Sequence, residues 1–347
     1  MAAYNYFPIL KTTDAELRAF AELPKQVKDK ILPVFELTRS RRSKKNRDGD
    51  AWKRIKCLQE YLGDRPFILD LTTEESLQNK QIVEMLEVSS DGYDSWVSFI
   101  NKIVDAGLNV IPIIHYNPDE LAEVRKEIGK LQDLSNCLAF RVRADDEVGQ
   151  YVGEIEKVFN LSKLILILDA GYLKPDSTDP FPVALLDSVS KKSPKAVVCA
   201  ASSFPSSVAD FGDEEGNFPI KEVLTTEGLR NHYEIFHGDY GSIHPVRYEA
   251  RWGGWVPRID FPSGNKFYYY RYRREQGGYI KAAKKVKANE HYNKIPEFDV
   301  WGDMEIEAAA EGNPNGLSPA HWIAVRANLY MTQQYLRLLK KNPKMSL

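Results

Sequence analysis

Short apolar runs recur along the chain, and each gives way to polar or charged residues. YFPILK (Tyr6 to Lys11), ILPVFELT (Ile31 to Thr38), PFILDLT (Pro66 to Thr72), VIPIIHY (Val110 to Tyr116), LAFRVRA (Leu138 to Ala144), LILILDAG (Leu164 to Gly171), AVVCAASSF (Ala196 to Phe204) and YEIFHGDYG (Tyr233 to Gly241) make eight. A short run rich in isoleucine, leucine and valine, bounded by turn residues, predicts a strand buried on both faces, as in parallel sheets. Between the runs, DAELRAFAEL, DAWKRIKCLQEYL, YDSWVSFINKIVDAG, PDELAEVRKEIGKL, EVGQYVGEIEKVF and PVALLDSVSKK space their apolar residues three or four apart. That is the period of helices packed on one face, and several of them open on Asp, Pro or Ser as a cap.

Alternating strands and helices imply parallel strands joined by helical crossovers. Eight units in about 240 residues suit a (βα)8 barrel of the TIM type rather than an open doubly wound sheet. No G-x-G-x-x-G or G-x-x-x-x-G-K-[ST] occurs to suggest the open sheet. The expected fold is therefore α/β, a (βα)8 TIM-like barrel. Pro8, Pro33, Pro66 and Pro112 fall at or near strand starts, where a missing N–H disturbs the ladder least.

The pattern changes after residue 245. WVPRIDF, PSGN and KFYYYRYRR read as a β-hairpin, GGYIKAAKKVKANEHY as a basic helix, and EGNPNG as a loop. SPAHWIAVRANLYMTQQYLRLLKK reads as a long amphipathic helix that packs on the barrel as its last. The whole chain is then one barrel domain, with residues 245–317 inserted between the eighth strand and the final helix.

Composition changes this picture little. Of 347 residues, 43% are hydrophobic and 28% charged, and 47 basic side chains face 49 acidic ones. A net charge of -2 argues against a generally basic coat for nucleic acid but leaves room for a local patch. RSRRSKKNRDGD (Arg39 to Asp50), after the second strand, is such a patch, and ADFGDEEGNF (Ala209 to Phe218), after the seventh, is its acidic counterpart. Cys57, Cys137 and Cys199 are far apart and read as reduced core residues. No run approaches the length of a membrane span, so a cytoplasmic protein without membrane contact is expected.

Catalytic and binding residues of such a barrel gather at the carboxyl ends of its strands. There the pattern puts Lys11, Glu36, Arg39, Asp70, His115, Tyr116, Arg141 and Arg143, followed by Asp169, Ser202, Ser203, His237, Asp239 and Tyr240. Asp70 shares a strand face with Thr72, Arg141 with Arg143, and His237 with Asp239, and each pair is expected to face the barrel interior, since a charge against the helix layer lacks water and partners. Lys11, Arg39, Arg141, Arg143, Ser203 and Tyr240 are candidate substrate-binding groups, the arginines forming a clamp for phosphate or carboxylate. Glu36, Asp70 and Asp169 are candidate general bases or ligands of a divalent cation, and His115, His237 and Asp239 complete the candidate catalytic set. If the protein is an enzyme, this mixture suits a hydrolase or lyase acting on a phosphoester or nucleotide. The competing interpretation is structural, with the acids neutralised by Lys11, Arg141 and Arg143. No zinc-ligand spacing occurs, and no G-x-S-x-G elbow frames Ser202 or Ser203.

A resemblance adds a setting. YFPILKTTDAELRAFAELPKQVKDKILPVFELT (Tyr6 to Thr38), FHGDYGSIHP (Phe236 to Pro245) and HWIAVRANLYMTQQYL (His321 to Leu336) resemble the phage beta protein family over nearly the whole chain. The resemblance implies a place in prophage or phage-satellite cassettes of the gop-beta-cII type, and with it a role in anti-phage defence or toxin control. It brings no established catalytic residues, so Lys11, Glu36 and Asp239 carry over only as family-like positions. Three functions follow as alternatives. The first is a mouth that takes a phosphorylated small molecule; the second is a non-enzymatic protein that restrains a toxin or phage component from the same cassette. The third is a nucleic-acid binder that stacks bases on the tyrosine and arginine hairpin.

Overall fold

The computed structural model describes residues 4–144, 147–174, 177, 179–246 and 255–341. All eight apolar runs become strands of one sheet. They are β1 (Tyr6–Lys11), β2 (Val34–Leu37), β3 (Phe67–Leu71), β4 (Val110–Pro112), β5 (Leu138–Arg143), β6 (Leu164–Tyr172) and β7 (Ala196–Ser202), and, after an intervening β8 (Glu215–Pro219), β9 (Phe236–Asp239). The order is β4-β3-β2-β1-β9-β7-β6-β5, with every pairing parallel. A bridge between Ile113 and Ala139 joins the two ends, and Ile114 N donates to Ala139 O at 2.8 Å. The sheet is thus nearly closed, barrel-like and surrounded by helices.

Alternation along the strands sorts the apolar residues into two groups. Phe7, Ile9, Val34, Ile68, Ile111, Ile165, Ile167 and Val198 form a cluster of their own inside the barrel. Leu10, Phe35, Leu69, Phe140, Leu166 and Leu168 belong to a second cluster, shared with the helices outside. The helices form as their sequences dictate. In Ala51–Leu62, Asp50 caps the first turn by accepting from Trp52 N at 2.9 Å, and Ile55, Leu58 and Leu62 are buried a turn apart.

Residues 247–254 of the expected insertion lie outside the described residues. Beyond them, β10 (Arg258–Ser263) and β11 (Lys266–Arg271) make the expected hairpin. β8 joins it as a third antiparallel strand, although it arises within the acidic segment expected to be a loop. EGNFP offers a single buried apolar residue, Phe218, whose ring packs 5.4 Å from that of Phe267, so pairing with the hairpin makes this strand and periodicity does not. The helix Trp301–Ala310 is likewise not predicted by the sequence pattern. The helix Pro319–Lys341 ties the small sheet to the barrel: Arg326 bonds Asp260 of β10 at 3.0 Å, and Asn328 donates to Ala19 O at 3.1 Å. Cys57, Cys137 and Cys199 are free thiols. No helix among the described residues is long and apolar enough to cross a membrane.

Candidate functional site at the barrel mouth

Parallel register brings three candidates to one level. Lys11 pairs with Glu36 across β1 and β2, and Glu36 with Asp70 across β2 and β3. Arg141 lies two residues before the end of β5 and reaches across the barrel to meet them. Its NH1 donates to Glu36 Oε1 at 2.7 Å and Asp70 Oδ2 at 2.8 Å, its NH2 to Asp169 Oδ2 at 2.8 Å and the Tyr240 hydroxyl at 2.9 Å, and its Nε to Asp169 Oδ2 at 3.0 Å. A guanidinium has five N–H donors. All five have an acceptor here.

The remaining groups complete a ring. The Tyr240 hydroxyl donates to Asp169 Oδ2 at 2.6 Å, while Asp169 Oδ1 accepts from Gly171 N at 2.8 Å. The Lys11 ammonium lies 3.2 Å from Glu36 and 2.9 Å from Glu74, and donates to Pro245 O at 2.6 Å, tying down the segment after β9. Ser202 does the same by donating to Ile243 O at 2.9 Å. Two cations therefore face four carboxylates, Glu36, Glu74, Asp70 and Asp169.

That imbalance treats neighbouring acids differently. Burial pushes the Glu36 carboxyl up, but the Lys11 ammonium and the Arg141 guanidinium more than offset it and hold the group at about 2. Burial of Asp70 prevails over Arg141 and raises its carboxyl above the usual range. Burial lowers Lys11, yet Glu36, Glu16 and Glu74 outweigh it and keep the ammonium charged. Glu16, which accepts from Lys11 N, is pushed up by burial to about 7.

The other candidates lie elsewhere. Arg39 is on the rim, bonded to Ser76 O at 3.0 Å, and Arg143 is exposed at the end of β5. His115 turns to the helix layer, where it bonds Glu127 and stacks on Tyr93 with ring centres 4.0 Å apart. Ser203 bonds Glu222 and receives Lys221 N at 3.0 Å, at the start of the helix Lys221–Leu229.

His237 and Asp239 overturn the expectation that they face the interior. Phe236, Gly238 and Tyr240 take the inner positions of β9; a Cβ on Gly238 would come within 2.9 Å of the Ala200 side chain. Asp239 instead accepts from Tyr6 OH and Gly241 N, each at 2.8 Å, and lies 3.0 Å from His237 Nε2. His237 Nδ1 is 3.1 Å from Thr226 Oγ1. Tyr6 of β1, the Gly241 N–H and Thr226 of the helix Lys221–Leu229 supply the polar partners that this side was expected to lack.

Among the described residues, no group of three or more His, Cys, Asp or Glu is arranged to hold a metal ion. Arg141 provides the positive charge among Glu36, Asp70 and Asp169. As arranged, these acids do not fit a divalent cation. Sequence reasoning missed Glu74, Glu16 and Glu222. Glu74 had a usable signal, since it lies in the loop after a strand's carboxyl end. Glu16 reads as an ordinary acid in the first turn of a helix, and Glu222 lies in the helix Lys221–Leu229, which periodicity does not predict.

The hairpin tyrosines are occupied in packing. Phe267 and Tyr269 are buried in a cluster with Tyr330 of the final helix, Tyr268 stacks on Phe261, and Tyr270 accepts from Asn289.

A family model described as Beta protein matches residues 6–336. Protein beta of Enterobacteria phage P4 is 30% identical over 343 residues, covering 95% of this chain and 93% of that protein.

Proposed function

The chain belongs to the beta protein family, and from that premise we propose that it works in an anti-phage defence or toxin-control module, with the barrel mouth as its ligand site. We read the sheet as a (βα)8 barrel of the TIM type, supported by its strand order and the Ile113 to Ala139 bridge, with residues 245–317 inserted before the final helix. On this reading the protein acts in the cytoplasm.

The ligand we favour is phosphorylated or nucleotide-like. Its anionic part meets Arg39 and Arg143 on the rim, while donor groups, such as the amino groups of a base, meet the carboxylates below. One observation carries the proposal: Glu36 and Asp70, neighbours in register and both bonded to Arg141 NH1, are pushed in opposite directions. Carboxyls whose environments separate them divide into a fixed charge and a proton carrier. In an enzyme of this kind Glu36 stays ionised, Asp70 moves the proton, Arg141 orients both, and Tyr240 with Asp169 holds the guanidinium in place.

The test is a phage challenge of cells carrying the intact cassette, comparing wild type with Asp70→Asn and Arg141→Lys, each checked by thermal melt. Arg141→Lys keeps the charge and loses the planar fork. Loss of protection with an unchanged melt supports the proposal. Full protection in both variants makes the cluster a structural ion network and turns attention to a protein partner.

A further inference from the structure

The loop from Arg39 to Asp50 leaves the carboxyl end of β2, on the same rim as the mouth, and past Arg39 no step proposed for the mouth uses it. Arg41, Arg42, Lys44, Lys45 and Arg47 are all exposed, and none forms an ion pair with any described residue. Five like charges in seven positions repel one another, and such a run is ordinarily a solvated, loose segment. This one is fastened at both ends and in the middle.

Ser40 N donates to Asp50 O at 3.2 Å and Asp50 N to Ser40 Oγ at 3.0 Å, closing the base of the loop. Ser43 N donates to Asn46 O at 2.8 Å, and Asn46 Oδ1 accepts from Gly49 N at 2.9 Å. Gly49 has φ +84°, and a Cβ there would come within 2.6 Å of Ser40 O, so the closure requires glycine. The loop's two acids are taken up by backbone donors: Asp48, itself exposed, accepts from Lys80 N at 3.1 Å, and Asp50 from Trp52 N at 2.9 Å. The acids bind backbone and the cations face solvent.

We propose that this loop is a docking surface for the phosphate backbone of a duplex nucleic acid. Three of the five cations are arginines, whose forks match phosphate oxygens. The segment has no apolar side chain, so it lacks the anchor that a membrane interface or a protein hot spot needs. It also lacks aromatics on which unpaired bases stack, which favours the denser charge of a duplex and contact without sequence reading. A loop already closed before binding gives up little freedom on contact. This surface is distinct from the hairpin, whose aromatics are packed.

Fluorescence anisotropy of the full chain with a short labelled DNA duplex tests the proposal. Wild type should bind at low salt, with log K falling against log salt at a slope of about -4, as expected for four to five neutralised phosphates. Replacing all five cations by alanine should weaken binding at least about a hundredfold. The Lys44→Ala, Lys45→Ala pair, which touches none of the loop's closing bonds, should weaken it several-fold and reduce the slope by about two. Duplexes of different sequence should bind alike. Absence of binding at low salt, unchanged binding by either variant with an unaltered melt, or tighter binding to single strands would each overturn the proposal. So would capture by phosphatidylserine vesicles in place of the duplex.

Discussion

Two polar clusters lie at the carboxyl end of the sheet, back to back across the β9 backbone, and they follow opposite rules. Inside the barrel, Tyr240 shares Arg141 and Asp169 with a ring of charges in which acids outnumber cations. On the other side of the strand, Asp239 and His237 lie with Tyr6 and Thr226, with Glu222, Ser203 and Tyr330 close by, all buried and joined mostly by neutral donors. The outer cluster solves a burial problem by matching each acceptor to a donor. The inner one holds charge in excess at a partly exposed rim. The histidine beside an aspartate is accounted for by burial, whereas the proposed function rests on the arginine among carboxylates.

The largest expected effect tests the outer cluster. Asp239→Ala would leave Tyr6 OH, Gly241 N–H and the His237 imidazole without their shared partner in a dry site. Each buried polar group so orphaned costs about 1–3 kcal/mol, so urea unfolding should lose at least about 3 kcal/mol. A variant as stable as wild type, but without phage protection, would move the active centre to this side of β9 and break the comparison.

Acidity separates the clusters more finely. Glu36 is depressed to about 2, so its contribution is complete above the unfolded value near 4.3 and is lost as pH falls through the folded one. The stability gap between wild type and Glu36→Gln should stay flat from pH 8 to 5 and close below about 4.3. Glu222 is raised, burial outweighing its bond from Ser203, so its contribution is complete below the unfolded value and fades as pH rises through the folded one. Glu222→Gln should therefore gain on wild type as pH rises from 5 to 8, in the same urea titrations. Parallel pH profiles for the two variants would mean that the clusters do not differ as described.

Much of the fold was legible because its signals are local. Eight apolar runs separated by helical periods fix the parallel sheet, and the polar residues near the strand ends gather at its rim, Lys11, Glu36 and Asp70 in register and Arg141 and Asp169 beside them. Which side of β9 His237 and Asp239 take was not legible, because it depends on Tyr6 of β1 and Thr226 of the preceding helix, which lie on other elements. The same holds for β8, which exists through pairing with Lys266–Arg271. Partner-dependent features leave no period, and the penalty for burying charge gives the wrong answer wherever unseen donors offset it.

A matched pair of phenols gives the smallest and sharpest contrast. Tyr240 and Tyr6 each donate one hydrogen bond to an aspartate, at 2.6 and 2.8 Å, from opposite sides of the sheet. In each Tyr→Phe variant the aspartate keeps a backbone donor, Gly171 N for Asp169 and Gly241 N for Asp239. The cost should be only about 1 kcal/mol for Tyr240→Phe and up to about 2 kcal/mol for the drier Tyr6→Phe, read as urea midpoints. Function should divide the other way. Tyr240→Phe frees one guanidinium donor and loosens Asp169 at the mouth, so phage protection should fall despite the smaller stability loss, while Tyr6→Phe should protect as well as wild type. If protection instead tracks stability across both variants, the mouth holds its charges for the fold alone, and the two clusters are one kind of structure in two solvents.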